Sequence, residues 1–327
     1  MKVSVILTVL NEERSLPSLL NDLFAQSWPA DEIVIVDGGS RDGTVEILRR
    51  CAERHPRLKV FVEPGANIAR GRNIAIGHAS GEIIAVTDGG CRPDPDWLGG
   101  LVAPFLGDPR VDAVAGRILP IATNRFGYYS GLLTVSDSWG KTPGSLFYGR
   151  SSAFRRELWA RVGGYPEWLY TAEDSLFALR AKRLGAKVVT APESHLYWYP
   201  RPTLLKTAKM FFLYGRGNGR IQWGDLRGTR YWLRYHALWM AMLIGGLVQP
   251  WLWLIAGAVL AHLLRLTAVP NLGQFEKSAD RFFYVPLIVL TRNLFTNLGY
   301  LIGHIEYRRN KEFRERLADY MGARTAP

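Results

Sequence analysis

Four short apolar runs in the first ninety residues, at 3–9, 32–36, 58–62 and 83–86, limit what this chain can fold into more than any other feature. Amphipathic stretches of helical period separate them, at 15–26, 44–54 and 68–79. Strands that are apolar nearly throughout and alternate with helices predict a mostly parallel α/β sheet covered on both faces. Such sheets bind ligands at the carboxyl ends of their strands, beside the crevice where strand order reverses. The polar residues at those ends are Thr8, Asn11, Glu12, Asp37, Ser40 and Asp88.

Composition narrows the class. A chain of 327 residues with 48% hydrophobic content is long enough for one large α/β domain plus an appendage, or for two modest domains. A formal charge of +12 points to an anionic partner such as a nucleotide or lipid headgroups. Part of the set of 11 tryptophans clusters in the last third, which suits a membrane interface better than base stacking. Cys51 and Cys91 make no CxxC, as expected on a reducing cytosolic face. The opening "MKVSVILTVLNEE" does not read as a signal peptide, because its apolar stretch is short and runs into acids.

After Tyr199 the character changes. Between Arg201 and Arg234 lie eight Lys or Arg residues and a single acid, Asp225. Residues 235–264 then contain no Asp, Glu, Lys or Arg, long enough to cross a bilayer with tilt. Pro250 near the middle predicts a kink or a tight helical hairpin. The stretch 282–303 is apolar at both ends but holds Arg292, Asn293 and Asn297. An arginine at a span's centre costs about 2.5–3.5 kcal/mol, so a second span and a re-entrant or interfacial helix compete equally there. A basic tail follows, from Arg308 to Arg324. The expected division is a catalytic domain over 1–225 and a basic arm, membrane-associated helices and tail over 226–327.

The segments "VSVILTVLNEERSLPSLL", "EIVIVDGGSRDGT", "ARGRNIAIGHASGEIIAVTDGGCRPDPDWL" and "GGYPEWLYTAEDSLFALRAKRLGA" occur in this order. Together they resemble the family 2 inverting glycosyltransferases of GT-A fold, over roughly residues 3–220. The resemblance implies a nucleotide-sugar donor, with Thr8 and Asp37 touching the nucleoside and Asp88 the ribose or diphosphate region. It also implies Asp174 as catalytic base, with Glu173 beside it. A positioned carboxylate is what such chemistry needs, since an acceptor hydroxyl must lose its proton as it attacks the anomeric carbon. Both acids also suit the first turn of a helix, where they favour the dipole. Asp42 and Thr44 read as helix-capping residues, and His78 as structural. Tyr165, Trp168 and Tyr170 are equally candidates for a sugar face and for the core.

The chain departs from the family where a metal is usually held. Gly90 stands in place of the second carboxylate of Asp-x-Asp, and Trp198 in place of a downstream histidine. Asp88 is the remaining candidate ligand for magnesium or manganese, and dependence on either is expected to be weak or absent. Arg150 in "YGRSSAF", and Arg216 and Arg220 in "YGRGNGR", are candidates to neutralise the leaving diphosphate. The glycines around Arg216 suggest a loop able to close over the donor, with attraction to anionic lipid as the competing explanation. Arg70 and Arg72 lie where they approach the nucleotide or a solvated helix face.

The expected protein is therefore an inverting glycosyltransferase on the cytoplasmic side of the cell membrane, using a lipid-linked or polysaccharide acceptor and no nucleic acid. Two alternatives are a sugar nucleotidyltransferase and a non-catalytic relative. The first needs a basic glycine-rich loop where this chain has "TVLNEE", and the second has no use for Glu173 and Asp174.

Overall fold

The computed structural model describes residues 1–135, 147, 149–273, 275 and 278–322. Its eight strands are β1 Val3–Val9, β2 Glu32–Asp37, β3 Leu58–Val62, β4 Ile83–Thr87, β5 Cys91–Pro93, β6 Ala113–Pro120, β7 Ser151–Arg155 and β8 Val188–Trp198. The first seven helices are α1 Leu16–Phe24, α2 Thr44–Arg54, α3 Ile68–His78, α4 Trp97–Gly107, α5 Arg125–Thr134, α6 Arg156–Val162 and α7 Glu173–Arg183. Six more follow: α8 Leu204–Arg220, α9 Leu226–Gly245, α10 Leu252–Thr267, α11 Val269–Leu272, α12 Arg281–Arg309 and α13 Lys311–Tyr320.

The strands form one sheet in the order β3-β2-β1-β4-β7-β6-β8-β5. Alternation along β1 sends Val3, Val5, Leu7 and Val9 into a core with α1 and α4. Ile6, with Val34, Val36, Ile84 and Val86, enters a second core with α3, α6 and α7 on the other face. Each such buried side chain contributes about 1.5–3 kcal/mol, which is why near-continuous apolar strands require cover on both sides. Parallel pairing holds for β1 with β2 and β4, and for β2 with β3. The second half is mixed, since β7 runs antiparallel to β4 and β6. Hydrophobic period identifies a strand but carries no information about its direction.

The order around β1 sets the position of the site. β2 and β3 lie on one side of β1 and β4 on the other, so the chain's direction of travel reverses between β1 and β4. The β1–β4 register ends at Ile6↔Val86; two residues beyond come Thr8 and Asp88.

The C-terminal third decides one sequence expectation and corrects another. Residues 235–264 do not form one continuous span: of the kink and the tight hairpin expected at Pro250, the structure has the hairpin, with α9 and α10 as its arms and the turn over 246–251. Pro250 sits in that turn, and Trp253 Nε1 donates to the Leu243 carbonyl at 3.1 Å, satisfying one of α9's terminal acceptors. Nor is "YGRGNGR" a loop; it is the last turns of α8, which lies along α12. A Cβ at Gly215 would stand 2.0 Å from the Thr296 carbonyl oxygen, and one at Gly219 2.2 Å from that of Tyr300. Across the contact, a Cβ at Gly299 or Gly303 would stand 2.1 or 2.0 Å from the carbonyl oxygen of Phe212 or Arg216. Two G-x-x-x-G faces thus bring backbone against backbone.

Among the described helices, α12 is the one long and apolar enough to cross a membrane by length and composition. Two of its polar residues bond to neighbouring helices. Arg292 Nη1 donates to the Leu133 carbonyl at the end of α5 (2.6 Å), and Asn293 Oδ1 lies 3.0 Å from His236 Nε2 of α9. Beyond it, α13 packs back on the segment between α6 and α7, with Phe313 edge-on to Trp168 at 4.8 Å and Tyr320 donating to the Gly164 carbonyl. Of the predicted basic tail, Arg324 lies outside the described residues.

Candidate active site

A cleft of about 770 Å³ opens at the carboxyl ends of β1, β2 and β4. Thr8, Glu12, Gly38, Asp88, Gly90 and Arg150 lie in its wall, with Tyr170, Trp198 and Arg201 among the others. A smaller cavity of about 430 Å³ lies at the opposite end of β4, around Glu82 and Arg155. The Arg155 guanidinium there is committed to the Val111 and Pro109 carbonyls.

The loops after β1 and β2 are tied together. Asn11 adopts φ 56°, its N–H donating to Ser40 Oγ and its Oδ1 accepting from the Arg41 N–H. Glu12 N–H donates to Thr44 Oγ1 at 2.8 Å. Asp42 accepts from the Thr44 N–H and hydroxyl, the capping role expected of it. Asp37 differs from expectation in its surroundings. It is fully buried behind the wall of the cleft, and its carboxylate accepts from the Gly39 and Ser40 N–H groups, each at 2.8 Å, and from the Ser40 hydroxyl. Both backbone donors reach Oδ1 and the hydroxyl reaches Oδ2, so the loop after the strand supplies partners to both oxygens.

Asp88 is the centre of a charged cluster that the sequence scatters over a hundred residues. Arg72, fully buried on α3, donates from Nη2 to Asp88 Oδ1 at 2.7 Å and from Nη1 to Glu173 Oε1 at 3.2 Å. Its guanidinium carbon lies 5.4 Å from the Tyr165 ring centroid. Arg150 Nε stands 3.6 Å from Asp88 Oδ2. Arg70, in contrast, is exposed and pairs with half-buried Glu63 outside the cluster. The sequence placed Arg72 no nearer than a choice with Arg70; only helix phase separates the inward residue from the outward one.

Glu173 and Asp174 open α7 after Ala172, which takes the left-handed conformation at φ 65°. Burial and the adjacent Asp174 charge push the Glu173 carboxyl up to about 7, against the pull of Arg72. Asp174 Oδ1 accepts from the Ser175 N–H at 2.7 Å, and Oδ2 accepts from the Gly149 N–H at 3.2 Å, next to Arg150 in the wall. Of the three aromatic candidates, Tyr165 is core, stacked on Phe177 at 4.4 Å, and Trp168 packs on α13. Tyr170 alone reaches the cleft, 76% exposed.

Arg216 and Arg220 do not face the cleft. Both pair with Glu306 of α12, Arg220 Nε at 2.6 Å from Oε2 and Arg216 Nε at 2.9 Å from Oε1. The helical backbone that replaces the expected loop turns them toward α12. Arg201, which the sequence offered only as the start of a basic arm, is in the wall of the cleft.

The donor set does not fit a divalent cation. Asp88 has arginines on both oxygens, and Glu12 accepts the Ser15 hydroxyl on one of its own. Gly90 brings no side chain, and no group of three or more His, Cys, Asp or Glu able to hold a metal occurs among the described residues.

Comparison with known proteins agrees with this architecture. The family model for glycosyl transferase family 2 matches residues 4–162. Glycosyltransferase AglE of Haloferax volcanii is 28% identical over 256 residues, covering 76% of this chain and 82% of that protein. Succinoglycan biosynthesis protein ExoA of Rhizobium meliloti is 27% identical, covering 66% and 68%. The mannosyltransferase PcManGT of Pyrobaculum calidifontis, solved with GDP-Man and Mn2+, superposes with a TM-score of 0.60 at 26% identity, covering 92% of this chain and 86% of that one. Residues 4–162 are a glycosyl transferase family 2 domain. Its fold is the GT-A type, as the S. aureus TarS structure also shows with a TM-score of 0.51 at 23% identity, although the chain spans only 39% of that protein. It is an enzyme that transfers sugar from a nucleotide-sugar donor to a glycan acceptor.

Proposed function

We propose that the enzyme inverts the anomeric centre, with Asp174 as base, and works on a lipid-linked or polysaccharide acceptor at the cytoplasmic face of the cell membrane. One observation carries the reading: Arg72 joins Asp88, in the donor cleft, to Glu173 at the head of α7, so two halves of a transfer site meet in one cluster. The nucleotide lies across β1 and β2 against Thr8, Glu12 and Gly38, with the diphosphate toward Asp88 and Arg150. Asp37 contributes by shaping the loop that bears Gly38.

The acceptor hydroxyl gives its proton to an Asp174 carboxylate oxygen as its own oxygen bonds to the anomeric carbon. The bond from that carbon to the β-phosphate oxygen breaks, and its electron pair leaves with the nucleoside diphosphate. A single displacement inverts the centre and needs no second nucleophilic carboxylate. The membrane side rests on the hairpin and on relatives' names. A relative from Methanococcus voltae, 23% identical, is named for a dolichyl phosphate-linked sugar acceptor, and another, from Salmonella typhimurium, is an O-antigen chain rhamnosyltransferase.

The test pairs release of nucleoside diphosphate, over a panel of nucleotide sugars with extracted lipid, with donor binding by calorimetry. Asp174→Asn is expected to lower turnover at least ~100-fold, within the range for a lost general base, while donor affinity stays within about twofold. Near-normal turnover of that variant removes the base assignment.

A further inference from the structure

We infer that an arginine clamp, Arg150 seated on Trp198, takes the place of the metal ion and binds the donor's diphosphate. The inference rests on the reading of the cleft as the donor site and adds what neutralises the leaving group there.

Two departures in sequence become one device in the fold. β5 and β8 run antiparallel with Cys91 opposite Trp198, so the tryptophan stands beside the Gly90 turn although more than a hundred residues separate them. Where a metal site needs a carboxylate and a histidine at these positions, the chain has no side chain at one and an indole at the other. The Arg150 guanidinium carbon lies 4.6 Å from the Trp198 ring centroid, within cation–π distance. Its Nε faces Asp88 Oδ2, and its Nη2 donates to the Tyr214 hydroxyl of α8 at 3.4 Å. Three contacts from three elements thus fix the plane of the guanidinium. Nη1 has no partner among the described residues, and the residue lines the cleft.

A planar guanidinium with an unspent N–H edge suits a phosphate pair, whereas a hydrated cation beside Asp88 would compete with the two arginine charges already against that carboxylate. Fixing the cation before the donor arrives also removes the reorganisation cost when charge develops on the leaving oxygen. Trp198 is then a positioning residue that acts through Arg150. Gly90 takes φ 72°, a turn conformation that favours glycine, so the position beside Trp198 carries no carboxylate.

The experiment titrates the purified full-length protein with UDP, GDP, CDP and dTDP, in chelator and then with manganese, alongside thermal melting of each variant. At least one nucleoside diphosphate is expected to bind in chelator, with a Kd that manganese changes less than about threefold. Arg150→Gln is expected to weaken it roughly 30-fold, as loss of hydrogen bonds to a charged group does, and Arg150→Lys to restore only part. Trp198→Phe keeps an aromatic face and should stay within about threefold, whereas Trp198→Leu should lose about tenfold while keeping its melting transition. Binding that appears only with manganese, or an Arg150→Gln protein that is folded and binds normally, overturns the clamp and leaves the donor site standing. Absence of binding by all four, with and without metal, overturns the clamp and the donor site together.

Discussion

At the scale of single residues, the two neighbouring acids at the head of α7 have different surroundings. Asp174 has its oxygens on backbone N–H groups, while Glu173 is buried against Arg72 with its carboxyl pushed up to about 7 by burial and by Asp174. A folded-state pKa above the unfolded value means that the fold favours the protonated form. The associated stability is complete below the unfolded value of 4.5 and is lost as pH rises through about 7. Each tenfold change in proton affinity corresponds to about 1.4 kcal/mol. Glu173→Gln, which cannot ionise, should therefore lose less melting temperature than the wild type between about pH 5 and pH 8. Parallel curves for the two proteins would contradict the assignment. Neither Glu173's burial nor its partner is readable from "AEDSLF"; the adjacent carboxylates are, and their separation into two roles is not.

Among the elements, α8 couples the C-terminal helices to the cleft. Gly215 and Gly219 face α12, Tyr214 reaches Arg150, and Gly217 faces Thr171 and Ala172 just before the acids of α7. A Cβ at Gly217 would lie 2.7 Å from Thr171 Oγ1 and 3.0 Å from the Ala172 Cβ. Gly217→Ala should push that loop, lowering kcat about tenfold, since small misplacements near the chemistry are costly. Gly257→Ala on α10, where a Cβ meets nothing within 4 Å, should leave kcat unchanged and add about 0.5–1 kcal/mol of helix stability. Equal kcat for the two variants would show that α8 does not position the site. The strands and helices of the first ninety residues are legible in the sequence because their apolar period is regular and local. The glycines of α8 suggest a loop instead, because a G-x-x-x-G face has meaning only when its partner, here Gly299 and Gly303, is known.

For the whole molecule, the decisive length is that of the hairpin arms. At 1.5 Å per residue, the 16 residues of α10 reach about 24 Å, short of a hydrocarbon core of about 30 Å. The charge-free part of α9 is shorter still, and Arg234 and Arg265 stand at the two bases on one side. Leu247, Val248 and Leu254 at the tip are each more than three-quarters exposed, an apolar surface that water does not favour. The expected arrangement is a hairpin that enters the bilayer and returns, its arginines at the headgroups. Leu247→Glu combined with Leu254→Glu should abolish sedimentation with phosphatidylglycerol vesicles while nucleoside diphosphate binding persists. Unchanged sedimentation of the double variant would move the membrane contact elsewhere.

Local pattern alone determined the α/β class, the strand ends that line the cleft and the uncharged C-terminal run, because hydrophobic period, turn glycines and charge are properties of neighbouring residues. The tertiary structure decided what those residues face. It closed Asp37 into its own loop, turned Arg216 and Arg220 onto Glu306, chose the hairpin over the kink at Pro250 and set Trp198 beside Gly90. Each depends on a contact between segments distant in sequence or on the path of a loop in space, and neither composition nor spacing encodes a distance across the fold.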